Sequence, residues 1–126
     1  MTAAYVDTSC LMAVASSEPG YEELATRLES FTQLHASDLL EAEFASALAR
    51  RATANDGSLT DQVSWVLPDR ALTAEIDAVL AAGYLRGADL WHLACALFLS
   101  PNPVELTFLT LDQRQAEVAR ALGFPG

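Results

Sequence analysis

The sequence predicts an α/β fold around a parallel sheet. Strand and helix signals alternate from end to end, and no repeat or linker divides the chain. With 126 residues, 52% of them hydrophobic and 19% charged, it is expected to form one globular domain over residues 1–126, large enough for a buried core.

The elements follow in order. Ala3 to Val6 reads as the first strand, and a short helix with Cys10 to Ala15 on its buried side runs to about Ser16. Ser17-Glu18-Pro19 has the chemistry of a helix entry, since proline suits a first turn and Glu18, Glu22 and Glu23 suit its positive end. That helix continues through Leu24 and Leu28 to about Ser30. Leu34 to Ala36 is a brief second strand, after which Ser37-Asp38 caps a long helix towards Arg51. Asn55-Asp56-Gly57 is turn chemistry. Val63 to Leu67 reads as a strand ended by Pro68, in competition with a helix start at Thr60. Thr73 opens a helix through Ile76, Val79 and Leu80, with Gly83 as its C-cap. Gly87 precedes a strongly apolar helix, Ala88 to Leu99, stopped by Ser-Pro-Asn-Pro. Leu106 to Leu111 is the last strand, followed by Asp112 and an amphipathic helix ending at Gly123.

Charge and composition exclude several functions. The net charge is −10, with seven arginines and no lysine, so nothing draws a polyanion from long range. Action on RNA or DNA would need divalent cations and a local arginine cluster, and the acidic surface suits a basic protein partner. A phosphoacceptor or phosphatase site is disfavoured, because it needs a lysine beside the phosphoryl group and because Asp7-Thr8-Ser9 is not a paired Asp-x-Asp. No glycine-rich loop follows the first strand, which removes a P-loop or dinucleotide site. The run "LWHLACALFL" stops at Ser100-Pro101, short of a bilayer span, and no basic n-region opens the chain, so a cytoplasmic protein without membrane association is expected. Cys10 and Cys95 read as buried reduced thiols, with no zinc spacing.

Four acids stand in suggestive places. Ligands of parallel α/β sheets bind beyond the carboxyl ends of the strands, near the topological switch point. Asp7 interrupts the apolar run "AYVDTSCLMA" just after the first strand, and Asp112 follows the last one. Asp89 lies in the first turn of the apolar helix, and Glu43 about one and a half turns into the helix after the second strand. Each also has a local explanation: Asp7 and Asp112 as N-caps, Asp89 as complement to a helix dipole, Glu43 as part of a solvated face. Glu41 and Glu43 both flank the apolar stripe of Leu40, Phe44 and Ala47, and periodicity does not choose between them. Four converging acids repel one another and are tolerable if they hold cations. Carboxylate oxygens and water suit Mg²⁺ or Mn²⁺, which activate water and stabilise an in-line phosphodiester displacement.

Together, "AYVDTSCLM", "SDLLEAEFASALAR", "LRGADLWHLACAL" and "TFLTLDQRQAEVARALGF" resemble the four acidic motifs of the PIN domain. More closely, they resemble those of the VapC-type toxins of bacterial toxin–antitoxin pairs. The resemblance implies an α/β/α sandwich with a mainly parallel sheet and an endoribonuclease dependent on Mg²⁺ or Mn²⁺. It also implies hydrolysis of RNA by metal-activated water, a cognate antitoxin protein as partner, and a homodimer. It assigns catalysis and metal binding to Asp7, Glu43, Asp89 and Asp112, and it prefers Glu43 to Glu41. Ser9 and Thr110 match hydroxyls that support the pocket.

Asn55 to Leu72 carries none of these motifs, and the RNA-contacting face is unassigned, with Arg50, Arg51 and Arg86 as candidates. His92, one turn from Asp89, is expected to be a packed histidine beside the site rather than a general base, and Trp65 and Trp91 to be core or dimer contacts. The rival reading is a non-catalytic interaction module of the same fold, which divalent-ion binding would distinguish.

Overall fold

The computed structural model describes residues 2–55 and 57–126; Asp56, the centre of the expected turn, lies outside the described residues. The chain runs β1 (Ala3–Val6), α1 (Thr8–Ala15), α2 (Tyr21–Glu29), β2 (Gln33–Ser37), α3 (Asp38–Arg50), β3 (Val63–Val66), α4 (Thr73–Ala82), α5 (Gly87–Leu99), β4 (Thr107–Leu109) and α6 (Gln113–Leu122). The four strands form one parallel sheet in the order β3-β2-β1-β4. The path moves outward from β1 to β3, then returns across the sheet to place β4 on the other side of β1. The β1/β4 junction is therefore the switch point.

The reversal also sorts the helices into two layers. Ala4 and Val6 of β1 join Cys10, Leu11, Leu40 and Phe44 in one core, beneath α1–α3. Tyr5 joins Val79, Leu93, Phe108 and Val118 in the other, beneath α4–α6. Both faces of β1 are covered, which is why its sequence is apolar throughout rather than alternating. Trp65 and Trp91 are partly buried, each against one of the two cores. Cys10 and Cys95 are free and buried, and burial pushes both thiols up to about 12, so they are chemically quiet. Among the described residues, no helix is long and apolar enough to cross a membrane.

Several boundaries differ from expectation. Ser17-Glu18-Pro19 closes α1 instead of opening α2. Ser17 is left-handed (φ 49°), its N–H donates to Val14 C=O at 3.2 Å, and Glu18 N–H donates to Ala13 C=O at 3.0 Å. This is a Schellman stop, and the chain turns again at Gly20 (φ 85°) before α2 begins at Tyr21. The competing start at Thr60 is a single 3-10 turn, Thr60–Gln62, that feeds β3. β4 is only three residues long, because Leu111 leaves the ladder to donate its N–H to Ser9 Oγ at 3.0 Å.

The same stop closes α3 at Ala52 (φ 52°), where Thr53 N–H donates to Leu48 C=O at 2.9 Å. The alanine Cβ in this conformation costs about 1–2 kcal/mol, and glycine returns about 0.4–1 kcal/mol of that as unfolded-chain entropy. Ala52→Gly should therefore stabilise the protein by about 0.5–1 kcal/mol, seen as a higher urea midpoint at unchanged slope. A lower midpoint would contradict the assignment of strain.

Candidate active site

The carboxyl ends of β1 and β4 lie side by side, with Val6 opposite Leu109. Asp7, the next residue, donates its N–H to Leu109 C=O at 2.9 Å and so leaves the sheet at the switch point. Its Oδ2 caps α1 by accepting Ser9 N–H at 3.1 Å, and lies 3.4 Å from Thr110 Oγ1. The residue is only 6% exposed. Oδ1 points away from these donors and stands 4.0 Å from His92 Nε2.

Asp112 repeats the arrangement at the start of α6, where its Oδ1 accepts Gln115 N–H at 2.8 Å. The N-cap explanation is thus correct for both aspartates, and it leaves one oxygen of each unused. Glu43 follows the same rule by other means. Its Oε1 accepts both Thr8 Oγ1–H and His92 Nε2–H, each at 2.8 Å, and no hydrogen bond engages Oε2 among the described residues. Glu41, two residues away, is exposed and takes no part. Asp89 sits half-buried in the first turn of α5.

Asp89 reports how near the others are. Burial raises its carboxyl above the ordinary value, and the negative charges of Asp7, Asp112 and Glu43 push it further, against a smaller opposing pull from His92. Among the described residues no arginine lies within 4.0 Å of any of the four acids; the arginine ion pairs are Arg70 with Glu75 and Arg114 with Glu117. Arg51 donates to Ser16 Oγ at the far end of α3, and Arg50 precedes it there, whereas Arg86 stands at the N-cap of α5, on the rim that carries Asp89.

Two buried networks support the acids, and they use residues that motif reading missed. Thr110 Oγ1 donates to Gln115 Oε1 at 2.7 Å and accepts Asp112 N–H at 3.1 Å, while Ser9 Oγ lies 3.4 Å from the same hydroxyl. Gln115 is fully buried, and its Nε2 reaches Asp89 C=O at 3.3 Å, tying α6 to α5. The second network joins Tyr5, Ser37, His92 and Glu43. His92 is 1% exposed and donates Nε2–H to Glu43, which makes it a packed residue and leaves that nitrogen no lone pair for a base. The signals for these residues were slight. Tyr5 is the one aromatic in "AAYV", and Asp112-x-x-Gln115 has the spacing of a capping box but spans to another helix instead.

Among the described residues, no group of three or more His, Cys, Asp or Glu side chains is placed so that it could hold a metal ion. The donor chemistry nevertheless fits a hard divalent cation. Among the described residues, the acids are oxygen donors without a guanidinium counter-charge, and Asp7, Glu43 and Asp112 each keep an oxygen that accepts no hydrogen bond. Mg²⁺ needs only one or two carboxylates and keeps several waters, so a closed protein cage is not required.

The raised carboxyl of Asp89 gives a signed prediction. The folded chain holds this proton to higher pH than the unfolded chain, whose ordinary value is 3.8. Asp89 therefore costs no stability below about pH 3.8, and the cost grows as pH rises from there and is complete once pH passes its folded value. In metal-free buffer, Asp89→Asn should melt above wild type at neutral pH, with the gap closing below about pH 4. Melting at or below wild type at neutral pH would remove the inferred crowding of charge.

A protein-family model described as the PIN domain matches residues 4–121, nearly the whole chain. No curated protein and no solved structure matches it at a comparable level. The match spans all four acids, both supporting networks and every strand except the first residue of β1. The chain belongs to the PIN domain family, a family of nuclease folds.

Proposed function

We propose that this PIN domain is a divalent-metal-dependent endoribonuclease and acts as the toxin of a toxin–antitoxin pair in the cytoplasm. The observation that supports it most is the approach of carboxylates from separate elements at the switch point, unpaired with arginine among the described residues, where burial first and then the charges of Asp7, Asp112 and Glu43 raise Asp89. A fold does not gather uncompensated charge without a use for it, and cations are the ligand that turns the repulsion into binding.

In this reading Asp7 and Asp89 would be the main ligands of the ion, Mg²⁺ or Mn²⁺, directly or through water. Asp112 and Glu43 complete the negative pocket, and their unused oxygens orient the attacking water. Ser9 and Thr110 keep the Asp7 and Asp112 caps in place. When bound, the cation supplies Lewis acidity at the phosphodiester and lowers the pKa of water for in-line attack. No side-chain nucleophile is needed.

The direct test is Mn²⁺ titration by calorimetry together with cleavage of single-stranded RNA. Asp7→Asn and Asp89→Asn should each abolish measurable Mn²⁺ binding and slow cleavage about 100-fold or more. Survival of both properties in both variants would remove the site. Absence of divalent binding in the wild type would instead favour a non-catalytic interaction module.

The proposed partner is an antitoxin encoded beside the gene, with a homodimer as the working assembly. A guanidinium fork matches paired carboxylates, so an arginine of the antitoxin is suited to this pocket. The complex should then bind Mn²⁺ at least about 10-fold more weakly than the free protein. Equal affinity in the two states would rule out occlusion of the acids.

A further inference from the structure

Glu43 stands on α3, over one face of the sheet, yet the group that fixes it comes from α5, over the other. The contact crosses at the end of β2, where Ser37 N–H donates to Tyr5 Oη at 3.0 Å. A phenol carries its proton at neutral pH. With one lone pair engaged by Ser37 N–H, that proton has His92 Nδ1 as its acceptor, at 2.9 Å, and Ser37 Oγ lies 3.4 Å from the same nitrogen. Nδ1 is therefore bare and Nε2 carries the ring proton, which goes to Glu43 Oε1 at 2.8 Å. Tyr5 itself cannot shift, because its ring stacks on Phe108 of β4 with centroids 5.4 Å apart and planes 6° from parallel.

We propose that His92, set in its Nε2–H tautomer by Tyr5, is the residue that positions Glu43 in the acidic site. The proposal rests on the nuclease reading above. The geometry gives it a physical reason. Glu43 has a long side chain, a third of it exposed, and two like charges stand near it: Asp89, and Asp7, whose Oδ1 is 4.0 Å from His92 Nε2. Thr8 alone would hold it by a single hydroxyl. An arginine or lysine in place of His92 would hold it more firmly but would neutralise the charge that a cation needs. An imidazole in this tautomer donates a directed hydrogen bond and leaves the carboxylate charge available.

The chain has two histidines, which makes ring ¹⁵N NMR practicable. Metal-free wild type should show His92 with protonated Nε2 and bare Nδ1, and Tyr5→Phe should spread it over both tautomers. His92→Ala should lose about 10-fold or more in both Mn²⁺ affinity and single-turnover RNA cleavage. His92→Gln, whose amide N–H can stand in for Nε2–H, should recover most of both. In a Glu43→Gln background, His92→Ala should change neither further, because the relay would then have nothing to position.

A wild-type ring protonated at Nδ1 would overturn the proposal. So would a loss from His92→Ala as large in the Glu43→Gln background as in wild type. Should His92→Ala fail to fold, Tyr5→Phe carries the same cycle in the wild-type and Glu43→Gln backgrounds. If Glu43→Gln leaves Mn²⁺ affinity and cleavage intact, Glu43 has no part in the site and the proposal falls; if Asp7→Asn and Asp89→Asn leave them intact, the nuclease reading itself fails. The ring spectrum, which needs neither metal nor RNA, separates that outcome from failure of the relay.

Discussion

The constraint on which this structure depends is the placing of Asp7, Asp112 and Glu43 near enough to Asp89 for their charges to add to what burial does to its carboxyl, with no arginine within 4.0 Å of any of the four among the described residues. Left to themselves, four such side chains would splay into water. Three are held by the same device, in which donors engage one oxygen and leave the other alone. Ser9 N–H does this for Asp7, Gln115 N–H for Asp112, and Thr8 with His92 for Glu43. Two of these donors are orphan N–H groups of helix first turns, so satisfying the helix and restraining the acid are one interaction. The cap and site explanations for Asp7 and Asp112 are not rivals.

Behind the acids, the polar groups are buried and fully used. Among the described residues, no buried side-chain nitrogen or oxygen lacks a hydrogen-bond partner. Gln115 and His92 are each nearly or wholly inaccessible, and each links two helices through the rim of the sheet. Losing one such partner leaves the other buried and unpaired, at about 1–3 kcal/mol. The networks thus raise the cost of any arrangement in which the acids separate. Tyr5 joins the rim to the core: its ring belongs to the apolar layer beneath α4–α6, and its hydroxyl to the relay.

What could be read from the sequence was local. A strand followed at once by Asp and a helix start fixes both the cap and its place at the sheet edge, so Asp7 and Asp112 stood out. The choice of Glu43 over Glu41 did not, because both flank the same stripe; contact with His92, 49 positions away, separates them in the fold. Tyr5 and His92 are 87 positions apart, and Gln115 reaches back 26 to Asp89. Such pairings follow from the strand order, which a single sequence does not reveal. The corner at Ser17 misled for a different reason: its Ser-Glu-Pro chemistry suits a helix start equally well, and only the left-handed Ser17 shows that a helix has ended.

The incomplete closure of the site follows from the same physics. Drawing all four acids to ligand distance around an empty point would concentrate their charge where burial already raises Asp89. Holding Asp7, Glu43 and Asp112 by one oxygen each fixes in advance much of the side-chain freedom that binding would otherwise remove. Asp89 is the member without such an anchor: its side chain accepts no hydrogen bond among the described residues, although Gln115 holds its backbone. It is also the acid whose carboxyl the others raise. In the proposed nuclease, a cation would offset the charge that Asp7, Asp112 and Glu43 add at Asp89, while the three anchored carboxylates stay where the fold has put them.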